Sequence, residues 1–441
     1  MQTSWKMRRL AWGEADFDER LQALLARGGD SDSGAEVERQ VGDIIAQVRR
    51  EGDAALCRLT ERFDRWPCTP EAMVIDRARM EQAWRRISGE DRQALSMAAE
   101  RLRAFHEQQA ARERSWSYRD AAGMELGQRV TPLDRVGLYV PGGTAAYPSS
   151  VLMNAIPARV AGVGDLVMVV PTPDGVVNEL VLAAAFIGGV GRGFAVGGAQ
   201  AVAALAFGTE SVPAVDKIVG PGNRFVAAAK RQVFGVCGID MIAGPSEIVV
   251  VADGGDPCWL AADLLSQAEH DAAAQAVLIS DDADLLDRVE AEIARQLAAL
   301  PRAEIARASL EAHGALIALE DLSQAAEVVN RIAPEHLELV LAQPDALLAR
   351  IRHAGAVFIG HHVPEALGDY VAGPNHVLPT NRTARFSSPL GVYDFQKRSS
   401  IIRGSADALA AIGPAAAHIA HREGLDAHAR TIELRLERRV Q

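Results

Sequence analysis

The chain has 441 residues, 49% hydrophobic and 24% charged, the proportions of an ordinary globular protein with enough length for two to three domains. Its 46 Lys and Arg against 58 Asp and Glu leave a net charge of -12, which argues against a general binder of nucleic acid or of an anionic membrane. At this length roughly three quarters of the unfolded surface can be buried, so no staple is needed. Four of the cationic residues are lysines, Lys6, Lys217, Lys230 and Lys397; the dominance of Arg reads as genome composition. Cys57, Cys68, Cys237 and Cys258 form no C-x-x-C pair. They read as reduced, buried thiols of a cytoplasmic protein. A thiolate zinc site is excluded, and any metal would need His, carboxylate or amide ligands. The first twenty residues lack the apolar core of a secretory signal. The longest apolar run, residues 180–190, is too short for a bilayer.

In chain order, residues 1–30 read as an N-terminal arm ending in GGDSDSG. From Gly34, Val37, Val41, Ile44, Ile45 and Val48 keep helical spacing, and the helical pattern continues with interruptions to about Arg114. The Arg- and Glu-rich faces there read as solvated helix surface. Near Val136 short β-branched runs begin to alternate with Ala-rich helical stretches: RVGLYVPGG, DLVMVVPTP, NELVLAAAFIGGVG, GFAVGGAQAVAALAFG and DKIVGPGNRFVAAAKRQVFG. Units of about 25–30 residues predict βαβ repeats, a parallel sheet and right-handed crossovers. SEIVVVAD opens a second such series, with AQAVLIS, GALIAL and GAVFIG as further strands. PCWLAADLLSQAEHD and LSQAAEVVNRIAPEHLELVL read as helices. After Pro389 the pattern is helical again, through an amphipathic segment to Arg439. Two α/β domains with helical additions at both ends fit this order.

Five groups of residues could carry chemistry. GLYVPGG, VGGAQ and GPGN each lie between a probable strand and a probable helix. There, backbone N–H groups and a helix N-terminus can approach a phosphate; tight βα turns alone would explain them equally well, and G-x-G-x-x-G is missing. Gln267 and His270 in SQAEH share one face of a helix and could reach one metal, or simply form a polar helix end. Glu335 and His336 in APEHLEL follow Pro334, a cue for a helix start. They could pair water activation with proton transfer, or be surface residues. Asp369 and His376 in GDYVAGPNHVLPT lie in a Gly/Pro-rich stretch of the kind that carries function more often than packing. Glu423 and His428 in REGLDAHAR alone read as an ordinary exposed helix. Gln, His and Asp make a plausible ligand set for Zn2+, but spacing cannot assemble them.

Taken together in order, GLYVPGG, YPSSVLMNAIPA, VGGAQAVAALAFGTESVP, VDKIVGPGN, GPSEIVVVAD, DLLSQAEHD, APEHLEL, GDYVAGPNHVLPT and GVYDFQKR resemble the histidinol dehydrogenase family. The likeness is strong from about residue 135 to 400 and weaker at both ends. It implies two incomplete Rossmann-like parallel-sheet domains, with helical N- and C-terminal extensions that form an intertwined homodimer. The expected division is an arm at 1–30, a first α/β domain from 31–138 plus 247–390, an NAD-binding α/β domain at 139–246, and a C-terminal dimerisation segment at 391–441. The resemblance implies a cytoplasmic enzyme that oxidises L-histidinol through histidinal to L-histidine with two NAD+ and one Zn2+ per subunit. It carries the zinc ligands onto Gln267, His270, Asp369 and His428, and the acid/base pair onto Glu335 and His336. NAD contacts fall on Tyr139, Gln200 and Asn223, and substrate contacts on Ser246, His336, Glu423 and the metal-site residues. Glu423 and His428 would reach the partner subunit's site. His376 receives no firm role, and Pro374 departs from the small or hydroxylated residue expected there.

Three rival readings remain. A family relative acting on a sulfonated propanediol or other small polyol needs a cation for the sulfonate, and Ser246 and Glu423 favour histidinol instead. A zinc hydrolase built on Glu335 would have no use for the glycine turns. A non-catalytic protein would not need the four candidate ligands together.

Overall fold

The computed structural model describes residues 6–26, 31–142 and 147–437, without side chains for 31–33. Two six-stranded sheets organise it. The first has the strand order Arg8–Ala11, Ala315–Ala318, Gln275–Ser280, Glu247–Ala252, His336–Val340, Ala356–Ile359, with every neighbouring pair parallel. The second runs Val74–Ile75, Arg192–Phe194, Asp165–Val169, Arg135–Tyr139, Lys217–Val219, Gly238–Ile239, parallel except at its first strand. The expected α/β class and βαβ alternation are therefore present. EIVVVA, QAVLIS and HLELV are buried at every position, because helices cover both faces of a parallel sheet.

The first sheet's two faces are different cores. Leu260, Leu264, Leu286, Val289 and Ile293 cover one; Phe17, Leu21, Leu24, Val328, Val329 and Ile332 cover the other. The segment expected as an arm is thus an integral edge strand and a packed helix, Phe17–Leu25. Sheet membership also cuts the chain differently from the expected domains. Val74–Ile75 and Arg135–Tyr139 pair with the 165–239 strands, not with the 247–359 strands. The long helix Ser31–Asp64, interrupted at Gly52 with φ 53, and the helix Gly198–Phe207 pack on the second sheet. The divergence arises because strand pairing at these positions is decided by partners far away in sequence.

Three further expectations change. HLELV, read as helix, is a central strand. After Pro389 the chain makes a single 3-10 turn, Val392–Phe395, and then a strand, Gln396–Arg403, which joins Glu125–Pro132 and Trp116–Arg119 in a small antiparallel sheet. Only then come the helices Ala406–Arg422 and Asp426–Glu437, which pack mainly on each other. The helix Pro257–Ala268 stops before His270, although the backbone N–H of His270 still reaches the Gln267 carbonyl at 3.2 Å. The four cysteines are free; Cys237 is buried and the other three half-buried. Among the described residues no helix is long and apolar enough to cross a membrane.

Candidate active site

At the amino ends of two neighbouring strands, Glu247–Ala252 and His336–Val340, the chain gathers an acid–base cluster. The helix Ala325–Ile332 ends at Ala333 in a left-handed conformation, φ 50, and Pro334 cannot continue it. The next two residues are thereby delivered to the mouth of the strand. Glu335 and His336 are 6% and 4% exposed. Glu247 holds both through its backbone: its N–H donates to Glu335 Oε2 at 2.9 Å, and its carbonyl accepts from His336 Nδ1 at 3.0 Å. A carbonyl can only accept, so the proton sits on Nδ1 and Nε2 is the basic nitrogen.

Burial moves the two side chains in opposite directions. It pushes His336 down to about 4, against the pull of Asp369. It pushes Glu335 well above the ordinary carboxyl range, helped by Glu247, Asp369 and Glu365. His336 is therefore neutral near pH 7, and Glu335 keeps its proton until a cation stands beside it.

His336 Nε2 lies 3.6 Å from Glu365 Oε1. His336, Glu365 and Asp369 bring one ligand atom each within 4.8 Å of one another, a spacing that could hold a divalent cation. Glu365 opens the short helix Glu365–Tyr370 that also carries Asp369. It is 2% exposed, and burial together with Asp369 and Glu338 raises it to about 9. Behind it, Glu338 Oε1 accepts the Glu365 N–H at 2.6 Å, and Glu338 hydrogen-bonds Asp263. Burial raises Glu338 to about 8 and Asp263 to about 6.

Of the residues expected at a metal, Gln267 points a buried Oε1 with no hydrogen-bond partner among the described residues. Asp369 belongs to the cluster just described. His270 is exposed, yet close enough for its charge to act on His336 and His376. His376 donates from Nδ1 to the Asp369 carbonyl at 2.9 Å and brings Nε2 within 3.5 Å of Ser150 Oγ. Ser246 precedes Glu247, with its carbonyl accepting from the Gln275 N–H at 2.9 Å. An orphaned amide oxygen, imidazoles and carboxylates are together a donor set that fits Zn2+.

Glu423 and His428 are not brought here within one chain. Glu423 caps the C-terminus of Ala406–Arg422, His428 lies in the first turn of Asp426–Glu437, and both are exposed. Glu365 and its support, Glu338 and Asp263, were missed from sequence. Glu365 is four residues before Asp369, so one helical face carries both; that i, i+4 pair of acids after Pro364 was the available signal.

The second sheet offers a different site. Its order reverses between Arg135–Tyr139 and Lys217–Val219, the switch point at which ligands bind beyond the strands' carboxyl ends. Tyr139 is 4% exposed and its hydroxyl accepts from the Gly198 N–H at 3.0 Å; burial pushes the phenol up to about 12. Gln200 is buried with Oε1 lacking a partner among the described residues. Asn223 Oδ1 caps Arg224–Val233, accepting from Phe225 and Val226 N–H at 3.0 and 3.2 Å. Cβ atoms on Gly197 and Gly222 would stand 2.3 and 2.4 Å from Pro171 and Val226. Backbone-lined turns and a capped helix start at a switch point fit a dinucleotide's pyrophosphate.

Comparison with known proteins shows the family and the fold. The family description "Histidinol dehydrogenase" matches residues 28–436. The curated histidinol dehydrogenase of Chromobacterium violaceum is 60% identical over 433 residues, covering 98% of this chain and 99% of that protein. That of Pseudomonas aeruginosa is 60% identical over 438 residues, 99% of each. The crystal structure of histidinol dehydrogenase from Elizabethkingia anophelis superposes with TM-score 0.92 at 32% identity over 99% of each chain.

Proposed function

This chain belongs to the histidinol dehydrogenase family, and from that premise we propose that it oxidises L-histidinol through histidinal to L-histidine, the last step of histidine biosynthesis, with two NAD+ used in turn. The observation that carries the reading is the buried pair Glu335 and His336, whose surroundings drive their proton affinities apart, as acid and base roles require. The carboxylates around them suit a cationic amino alcohol better than an anionic hydroxy acid.

Gln267, His270 and Asp369 would hold Zn2+, with His428 from the second copy of a homodimer. When bound, the ion orients the substrate's nitrogen donors and has no redox role. His336 Nε2 takes the alcohol proton as hydride departs, while Nδ1 stays tied to the Glu247 carbonyl. Glu335, once ionised beside positive charge, takes a proton from the water that attacks the aldehyde, while protonated His336 returns its proton to the aldehyde oxygen. His336 then takes the hydroxyl proton of the hydrate as the second hydride departs. Ser246 contacts the substrate, and the partner's copy of Glu423 meets its amine or imidazole. Tyr139, Gln200 and Asn223 hold the dinucleotide, so positioning dominates the hydride steps. The enzyme would work in the cytoplasm.

The test is NADH formation from L-histidinol with and without a chelator. Two NADH per histidinol, lost on chelation, are expected. No NADH from histidinol but NADH from a sulfonated propanediol would overturn the substrate, and full activity after chelation would remove the metal.

A further inference from the structure

The Arg-rich composition makes the placement of lysines informative. Two of the four, Lys217 and Lys230, lie in one strand–turn–helix unit, on either side of the 220–223 turn. Lys217 Nζ donates to the Asp394 carbonyl at 2.6 Å at the unit's start. Lys230 is 2% exposed, and its side chain forms an ion pair with Asp240, itself almost wholly buried.

That pair grips one residue. Lys230 Nζ donates to the Gly220 carbonyl at 3.0 Å as well as to Asp240 Oδ1. Asp240 Oδ2 accepts the Gly220 N–H at 2.8 Å. Gly220 has φ 115, and a Cβ there would stand 2.1 Å from the Tyr139 carbonyl oxygen. The first residue of the GPGN turn is thus held at its N–H and at its C=O, and pressed against the neighbouring strand. Three residues later Asn223 caps the helix that carries Lys230, which closes the loop of contacts.

A buried ion pair is a poor source of stability, because desolvation offsets most of the attraction. The neighbouring 195–198 turn manages with a neutral tyrosine hydroxyl. A compact ammonium with three donors can meet a carbonyl and a carboxylate from one point, where a planar guanidinium cannot. That explains a lysine here in a chain that otherwise uses arginine.

We propose that Lys230 and Asp240 are a positioning pair for the dinucleotide: they preform the 220–223 turn and so set the affinity for NAD+. The inference rests on the reading above that Asn223 and its turn touch the cofactor.

The experiment measures NAD+ dissociation constants on the full-length, metal-free protein by intrinsic fluorescence, and KM for NAD+ and for L-histidinol on the zinc-loaded enzyme. Lys230→Met combined with Asp240→Leu removes the pair without stranding a charge. Loss of charged hydrogen bonds to the turn should weaken NAD+ by about tenfold or more, raise KM for NAD+ in step, and leave KM for L-histidinol within about twofold. Lys230→Arg should fail to restore NAD+ affinity. Asn223→Ala reports on the underlying reading. If Asn223→Ala weakens NAD+ while the folded double variant binds it normally, the positioning pair is refuted and the cofactor site stands. If Asn223→Ala leaves NAD+ binding unchanged, the cofactor reading falls and takes the inference with it. Should the double variant not fold, hydrogen exchange on the wild type decides. A preformed clamp protects the Gly220 amide equally with and without NAD+, and protection that appears only with NAD+ overturns it.

Discussion

Glu338→Gln should flatten the pH dependence of stability in the metal-free protein. Glu338 sits in the middle of the strand His336–Val340, 2% exposed, bonded to Asp263 and accepting the Glu365 N–H at 2.6 Å. Burial raises it to about 8, whereas an unfolded glutamate titrates near 4. Between those values the native state keeps a proton that the unfolded chain has lost. The stability this confers is fully present below pH about 4 and is lost as the pH rises through about 8. One such acid tilts the stability curve by about 1.4 kcal/mol per pH unit until it levels off near pH 8, so about 3 kcal/mol separates pH 5.5 from pH 8. Glutamine keeps the oxygen that accepts from Glu365 and fills the same volume, but does not titrate. For a chain of this length about 1 kcal/mol corresponds to about 1 °C. Scanning calorimetry of chelator-treated protein should therefore show the fall in Tm between pH 5.5 and 8 to be smaller in the variant by about 3 °C. Parallel curves for the two proteins would mean that Glu338 is already ionised in the native state, and the account of this acid cluster would be wrong.

Other outcomes follow from the same geometry. Glu335→Gln keeps an oxygen for the Glu247 N–H but cannot take a proton. Oxidation of histidinal should fall by about a hundredfold or more while oxidation of histidinol falls far less, as single-turnover NADH bursts would reveal; equal losses would end the division of labour. Asp369→Asn and Gln267→Ala should each lower bound zinc, measured by elemental analysis of the purified protein, and stoichiometric zinc in both would remove them as ligands. If Glu423 and His428 serve the partner's site, mixing Glu335→Gln and His428→Ala chains, each deficient in histidinal oxidation, after mild denaturation should restore about a quarter of the wild-type histidinal oxidation, since half the dimers would carry one intact site. No recovery from a mixture shown to form mixed dimers would confine those residues to their own subunit.

The sheets were legible wherever helices cover both faces, because EIVVVA and QAVLIS are then unbroken apolar runs. HLELV escaped for a physical reason. Glu338 interrupts the run at the position where it takes part in the acid cluster, and a proline before an acid resembles a helix start. In the structure Pro334 acts after a left-handed Ala333, as a terminator. The strand Arg8–Ala11 was invisible because it is short and its partner, Ala315–Ala318, lies about three hundred residues away. WSYR and QKRSSIIR are mostly exposed strands and ELGQRVTP a half-exposed one, with few apolar residues, so no periodicity marks them. In the site, residues inside family motifs could be numbered in advance. Glu365 offered only its i, i+4 spacing to Asp369 after Pro364, a signal outweighed by the rule that a glutamate is nearly always solvated, and its 2% exposure shows only in the fold.

In the proposed function the two sheets divide the labour that a four-electron oxidation demands, with the substrate-side residues at the amino ends of the first sheet and the cofactor turns at the carboxyl ends of the second. They are fastened where the segment after Asp369 meets the helix Pro148–Ala161. Asn375 Nδ2 donates to the Met153 carbonyl at 2.6 Å, His376 Nε2 approaches Ser150 Oγ, and Val377 joins the same core as Leu152 and Ile156. An aldehyde formed in the first step must stay in place while one dinucleotide leaves and another arrives. A site on one sheet for both ligands would couple the two exchanges. Glu335 and His336 are held by the Glu247 backbone, and the 195–198 and 220–223 turns by Tyr139, Lys230 and Asp240, so the proposed acid–base pair and the proposed cofactor turns rest on separate sets of contacts.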